Sequence, residues 1–344
     1  MDTVLYLAHT QSEGALSKGA LEALTAAREL TAQLGHAELV AAIVGGDIQH
    51  AADSIADCGA SKFLGVSGEA FAQSRYVTDA AAIEAICRAA QPAIVICGSS
   101  SRFNRVLPGV ASRLGGCADL HATEMKVDAG NVFVTRWYYR QRIRAALTRD
   151  KRPWFVALEA GSYAPHSSAG GSAAVESVPV SLPEPGLRTN VEGLQKPAGQ
   201  TQTIRPDANL LFVAGAGWTK KQADGEAHIQ DAETIILEFL GKSQASLGGS
   251  KSLVDISGTG QAVLSFMTHL NQIGQTGAIP RHPRGLSTCC HGEEPHAVGW
   301  RFISERRAIN LDANCGWAHG KADVLYVADA FEVMRKVNAL LGNQ

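Results

Sequence analysis

No class of residue is in marked excess in this chain, and the shortages narrow what it can be. Basic and acidic side chains nearly cancel, 31 against 33, for a net charge of -2. No basic run or face suggests a nucleic-acid partner, which would need clustered Lys and Arg against phosphates. No apolar run reaches the roughly 18 residues of a membrane helix, so no membrane insertion is expected. The seven cysteines are odd in number and have no CxxC spacing. That usage fits a reducing cytoplasm better than a disulfide framework. The opening residues MDTVLYLAHTQ lack a basic segment and a long apolar one, and are expected to form a strand rather than a signal peptide. A Walker lysine motif is also missing, which argues against ATP hydrolysis.

What remains is a chain of 344 residues, 45% apolar and 19% charged, too long for one ordinary core and right for two domains. VLYLAH at 4–9 is a run of β formers, followed by a helix whose leucines at 21, 24, 30 and 34 share a face. LVAAIVGG, KFLGVS and AIVICGSS continue the pattern, with a helix near 78–90. Buried strands alternating with amphipathic helices imply a parallel sheet covered on both sides. NVFVTRWYY, RIRAALT and PWFVALEA follow without intervening helices and suggest an antiparallel addition. Pro, Gly and Ser then accumulate, a composition expected at a boundary. The expected division is an α/β domain over 1–190, a linker over 191–208 and a second α/β domain over 209–344.

The second series comprises strands at NLLFVAGAGW, SLVDISG, RAINLDAN and ADVLYVAD, a helix around 228–240, and a closing helix FEVMRKVNALL. The fold class is therefore α/β, with two Rossmann-like parallel-sheet domains. The second-half strands end in small or polar residues, and ligands in such sheets sit beyond the carboxyl ends of the strands. GAG at 215–217 follows a strand, but Lys220 stands where a third glycine would complete a dinucleotide fingerprint. A tight turn and a phosphate turn both stay open there. Gly248 and Gly249 would permit close backbone approach beside Ser250 and Lys251, placed at the start of a strand. Gln275, Thr276 and Gly277 offer hydrogen bonds to a neutral polar edge, or form a β-turn.

STCCHGEEPHAVGW at 287–300 admits three readings. Cys289, Cys290, His291, His296, Cys315 and His319 can be taken as metal ligands, although adjacent cysteines do not readily face one ion. Cys290 or Cys289 with His296 can be taken as a nucleophile and its base, in a hydrolase or transferase. Third, the stretch can be a ligand-contact loop in which His296 stabilises negative charge on a bound ring.

The order GGSKSLVD, QIGQTG, Gly292 to His296, AIN-D at 308–312 and VAD at 327–329 resembles the FAD-binding domain of electron transfer flavoprotein α subunits. SSSRFNRVLPGVASRLGG and FVTRWYY resemble the same family's N-terminal domain, so the resemblance covers nearly the whole chain. It implies FAD in the second domain and a heterodimer with the electron transfer flavoprotein β subunit. It also implies a flavoprotein dehydrogenase as donor and a quinone-linked oxidoreductase or other redox acceptor. The chain would be an electron carrier rather than a substrate-converting enzyme, with no catalytic acid or base; a cofactor-free structural subunit of the same fold is the alternative. By the same resemblance, Ser250 and Lys251 hold the flavin-side Ser-Arg positions, and Gln275, Thr276 and Gly277 line the ring. Gly292 and His296 belong to the loop at the flavin carbonyl, Asn310 and Asp329 fall on the adenosine side, and Asp312 is also among the expected cofactor-binding residues. Gly217 and Trp218 complete the expected cofactor-binding set, in a turn where the family has GGRG. The other departures are lysine for arginine at 251 and His-Gly-Glu-Glu-Pro-His at 291–296.

Overall fold

The computed structural model describes residues 2–11, 13–138, 143–182, 189–193, 204–205, 208–255, 263–274, 281–288, 303–314 and 322–342. The chain divides into two compact units, Met1–Leu194 and Gln195–Gln344.

The first unit is built on β1 (Thr3–His9), α1 (Lys18–Leu34), β2 (Glu38–Gly45), α2 (Gln49–Asp53), β3 (Lys62–Ser67), α3 (Glu69–Ala72), α4 (Tyr76–Ala90), β4 (Ile94–Gly98) and α5 (Ser101–Arg113). Then follow β5 (Cys117–Asp128), β6 (Asn131–Tyr138), β7 (Ile143–Leu147), β8 (Trp154–Leu158) and β9 (Val175–Ser177). These strands form one sheet in the order β7-β6-β5-β8-β4-β1-β2-β3-β9. Alternation along each strand sends residues to opposite faces. Val4, Tyr6, Leu39, Ala41 and Ile96 pack under α1, whereas Leu5, Leu7, Val40, Ala42 and Val95 pack under α4 and α5. Helix α1 begins where the Ser17 side chain accepts from the Ala20 N–H and ends at Gly35, with φ 69°, the left-handed cap that glycine adopts at least cost.

Of the strands expected as an antiparallel addition, β6 and β7 pair antiparallel with each other, and β6 also pairs antiparallel with β5, a strand the sequence did not mark. Strand β8 departs from that expectation: it pairs parallel with both β4 and β5 and so closes a gap inside the main sheet. Its five residues are all buried, and such continuous burial is the mark of a central parallel strand rather than of a hairpin arm.

His9 ends β1 with its ring edge-on to Phe103, centroids 5.0 Å apart, and its Nε2 lies 3.3 Å from Ser100 Oγ. Burial lowers its pKa; the Thr10 carbonyl works against this, and the Arg102 charge works with it. The folded pKa therefore lies below the unfolded value of about 6.5. This contribution to stability is complete above that pH and is lost as pH falls through the interval down to the folded pKa. Calorimetry between neutral and mildly acid pH should show the melting temperature of the first unit falling, and His9→Gln should flatten that slope. An unchanged slope in the variant would assign the acid sensitivity to other groups.

The second unit holds β10 (Leu210–Ala214), α6 (Ile229–Ser243), β11 (Ser246–Gly249), α7 (Lys251–Asp255), β12 (Arg284–Thr288), β13 (Glu305–Asn310), β14 (Val324–Val327) and α8 (Ala330–Leu341). All its strands run parallel, in the order β11-β10-β12-β13-β14. Helices α6 and α8 cover one face over Phe212, Leu247 and Ile309. Leu211, Val213, Ile273, Ile303 and Ala308 form the smaller cluster on the other. The chain leaves β10 toward β11 and leaves β12 toward β13, so the winding changes direction between β10 and β12. Crevices at such a switch are where open α/β sheets take ligands.

Among the described residues, no helix is long and apolar enough to cross a membrane.

Candidate functional site at the carboxyl edge of the second sheet

The carboxyl end of β10 runs into Gly215 and a single 3-10 turn, Ala216–Thr219. The Gly215 N–H donates to the Thr288 carbonyl at the end of β12, over 2.9 Å, which ties the turn across the switch. Gly217 is buried in this turn. Trp218 is fully buried. Its Nε1 donates to Thr288 Oγ1 over 2.8 Å, and that hydroxyl donates to the Val213 carbonyl over 3.1 Å. The indole rests on Phe331 with centroids 4.5 Å apart. Trp218 was placed in the expected cofactor-binding set, with a core position as its alternative; its ring is fully buried against Phe331.

The strand expected at 252–258 is displaced. The observed strand is the four-residue β11, Ser-Leu-Gly-Gly, and Lys251–Asp255 form the short helix α7. Ser250 and Lys251 therefore stand just past the carboxyl end of a strand rather than at the start of one, on the edge where ligands sit. The Ser250 N–H donates to the Ala214 carbonyl over 3.0 Å, and its hydroxyl accepts from the Leu253 N–H over 3.2 Å. Ser250 is buried, while Lys251 is exposed. The glycines before them do permit a close approach, but to the core. A Cβ on Gly249 would lie 2.2 Å from Met267 Cε, and one on Gly248 would lie 2.8 Å from Ile273 Cγ2.

Two further expected residues, Asn310 and Asp329, meet Gly217 around a narrow recess of about 300 Å³ including its open mouth. Gln222, Leu311 and Phe331 also line it. Asn310 is buried, and its Oδ1 accepts from the Asp312 N–H over 3.2 Å. Asp312, by contrast, is exposed; its Oδ1 accepts from Asn314 N–H over 2.8 Å, and it lies outside the recess lining. Asp329 caps α8, with its Oδ1 accepting from the Glu332 N–H over 3.1 Å. An α8 terminus already holding a carboxylate is a poor place for a phosphate, because the same N–H dipoles attract both. Gln222 was missed from the sequence. Its Nε2 donates to the Gly217 carbonyl over 3.0 Å and to the Lys220 carbonyl over 2.7 Å. Nothing in a lone glutamine amid TKKQADGE marks it, since its partners are backbone carbonyls of its own turn.

Gln275, Thr276, Gly277, Gly292 and His296 lie outside the described residues, as do Cys289, Cys290, His291, Cys315 and His319. The described cysteines are free. Cys58, Cys87 and Cys97 are buried, and burial raises each thiol pKa, that of Cys87 to about 12. Thiols so shifted are poor nucleophiles at neutral pH. Cys117 is also raised, by burial and then by Asp119.

Comparison with known proteins reaches both units. A family model described as the electron transfer flavoprotein domain matches residues 4–183. The electron transfer flavoprotein subunit alpha of Bacillus subtilis (strain 168) is 25% identical over 325 residues, covering 94% of this chain and 92% of that protein.

Proposed function

The chain belongs to the electron transfer flavoprotein family, and from that premise we propose that it acts as an α subunit, carrying electrons through FAD held by its second unit. The observation that carries this reading is the convergence of Gly217, Asn310 and Asp329 on one recess at the carboxyl edge of a parallel sheet. Ser250 and Lys251 stand at the end of a strand in the same sheet.

The donor set suits the nucleoside half of FAD. Asp329 accepts hydrogen bonds, as a ribose diol requires, and Asn310 carries a carboxamide able to match a base edge. Gly217 has no side chain to hold a ligand away from the backbone. The enclosed part of the recess, about 20 Å³, holds roughly one water-sized group, so the nucleotide would lie over its mouth and along the sheet edge rather than inside it. There Lys251 would supply positive charge, as a compact point charge rather than the planar fork of an arginine. When bound, FAD supplies reversible uptake of electrons, and the protein supplies binding, orientation and electrostatics. Gln275, Thr276, Gly277, Gly292 and His296 are proposed for the ring side on the family resemblance alone.

The electron route we propose starts at a flavoprotein dehydrogenase and ends at a quinone-linked or other redox acceptor, in the cytoplasm, with a β subunit as permanent partner. The test is the visible spectrum of this chain purified with a co-expressed β subunit, followed by denaturation and identification of what is released. Flavin bands and stoichiometric FAD are the expected result. A colourless complex that takes up no added FAD would sink the electron-carrier reading.

A further inference from the structure

The first unit has a cleft of its own, at the edge of its sheet where β1 and β4 begin. We infer that this cleft binds a small zwitterion of the α-amino acid class, with Arg152 taking the carboxylate and Asp150 the ammonium group. The inference concerns the first unit alone and does not depend on flavin in the second.

The cleft exists because the fold joins segments that are distant in sequence. The start of β1, the end of α1, the turn between β5 and β6 and the connection from β7 to β8 meet there around about 120 Å³ of enclosed space. That space takes several water-sized groups and falls short of the roughly 300 Å³ or more of cavities for larger ligands. Thr148, Asp150, Arg152 and Asn131 give it a polar lining, together with Asp2 and His36.

Arg152 is the residue that points to a ligand. Its Nη1 donates to the carbonyls of Arg149 and Lys151, the latter over 3.0 Å, and its guanidinium carbon stands 5.8 Å from the centre of the Trp154 ring. The backbone after it is pinned as well. The Pro153 carbonyl accepts from the Cys117 N–H over 3.1 Å, and the Trp154 N–H donates to the Ala93 carbonyl over 2.9 Å. Gly116 permits this approach, since a Cβ there would lie 2.1 Å from the Pro153 oxygen. Held by neutral acceptors, the guanidinium keeps its charge to offer, because no carboxylate among the described residues pairs with it. Nε and Nη2 form the planar fork that matches a carboxylate. Arg149, also in the lining, is committed elsewhere: its Nε and Nη2 bond Asp119, each over 2.9 Å.

Asp150 supplies the opposite charge. Its carboxylate has no partner among the described residues, whereas Asp2 already stands 3.6 Å from His36 Nε2. Two opposite charges thus line one small cleft without bonding each other. A simple anion would meet Arg152 but be set against Asp150, and a simple cation would meet the reverse; like charges brought together at a binding surface are strongly rejected. A molecule carrying both charges one carbon apart satisfies both residues. The Thr148 hydroxyl and the Asn131 carboxamide can each donate or accept the remaining hydrogen bonds.

The test is calorimetric titration of the complex of this chain with its co-expressed β subunit. The probes are L-alanine and two molecules that each carry one of its charges, propionate and ethylamine. Arg152 and Asp150 are exposed, so their charges act through water, and L-alanine should bind with a dissociation constant of about a millimolar. Either single-charge probe should bind about tenfold more weakly or worse. Saturating L-alanine should also raise the melting temperature of the complex. Arg152→Met and Asp150→Asn should each abolish that rise while leaving the melting temperature without ligand unchanged. Absence of both heat and stabilisation at L-alanine concentrations well above a millimolar would overturn the inference. So would propionate or ethylamine binding as tightly as L-alanine, or binding that survives unaltered in the two variants.

Discussion

Arg102→Ala should destabilise the first unit more than any single surface change, by about 3–5 kcal/mol. Arg102 on α5 and Asp79 on α4 form an ion pair with Nη2 to Oδ1 at 2.6 Å, and their side chains are only 7% and 2% exposed. The guanidinium Nε reaches both carboxylate oxygens at 3.0 Å, and Nη2 also donates to the Phe71 carbonyl over 2.7 Å. One side chain thus joins α4 and α5 to the end of α3. Its removal leaves the Asp79 carboxylate buried with a single backbone donor, Arg75 N–H at 3.2 Å. A loss of that size is a large fraction of the roughly 5–15 kcal/mol that holds a domain together. Urea unfolding followed by circular dichroism should show the midpoint falling steeply. The double variant Arg102→Met with Asp79→Leu should recover most of it, because the cost lies in the unpaired charge rather than in lost attraction. An unchanged midpoint in Arg102→Ala would mean that water reaches Asp79 and that the pair contributes little.

Trp218→Ala should cost the second unit a comparable amount, about 3–5 kcal/mol. The indole is fully buried against Phe331, so truncation leaves a void between the 3-10 turn and α8. It also removes the donor to Thr288 Oγ1. Trp218→Phe keeps much of the volume and loses the hydrogen bond, for which about 1 kcal/mol is expected. The two variants separate packing from binding. If the ring serves the core, the Phe variant should retain FAD with nearly unchanged affinity once the protein is folded. A Phe variant that folds normally but releases flavin would return Trp218 to the ligand-contact role read from the sequence.

Trp218 also shows where sequence reading ends. Its position in the chain, just past a strand and a glycine turn, matches that of a ligand-binding loop residue. Position along a chain does not say whether a side chain turns outward or inward, and here the space beside Phe331 and Thr288 decided it. Strand β11 was misplaced for a related reason. SLGG has little β propensity, so the apolar SLV that follows looked like the strand. In the fold, the glycines lie in the sheet because Met267 and Ile273 pack where their side chains would be. RGLST, the central strand β12, was overlooked because the cysteines and histidines that follow drew it into a loop.

The sequence by itself determined the α/β class, the two series of strands and helices, and the placing of polar strand ends on one edge. These follow from local periodicity, which every residue carries with it. It also supplied Asn310, Asp329, Gly217, Ser250 and Lys251 as candidates, since the motifs that hold them are short and contiguous. Only the tertiary structure decided that β8 lies between β4 and β5, and that β10 and β12 flank the switch of winding. It alone brought Gln222 to the recess, left Asp312 outside it and buried Trp218. Each of these depends on contacts between segments far apart in the chain or on the direction of one side chain, and neither is written in the local pattern.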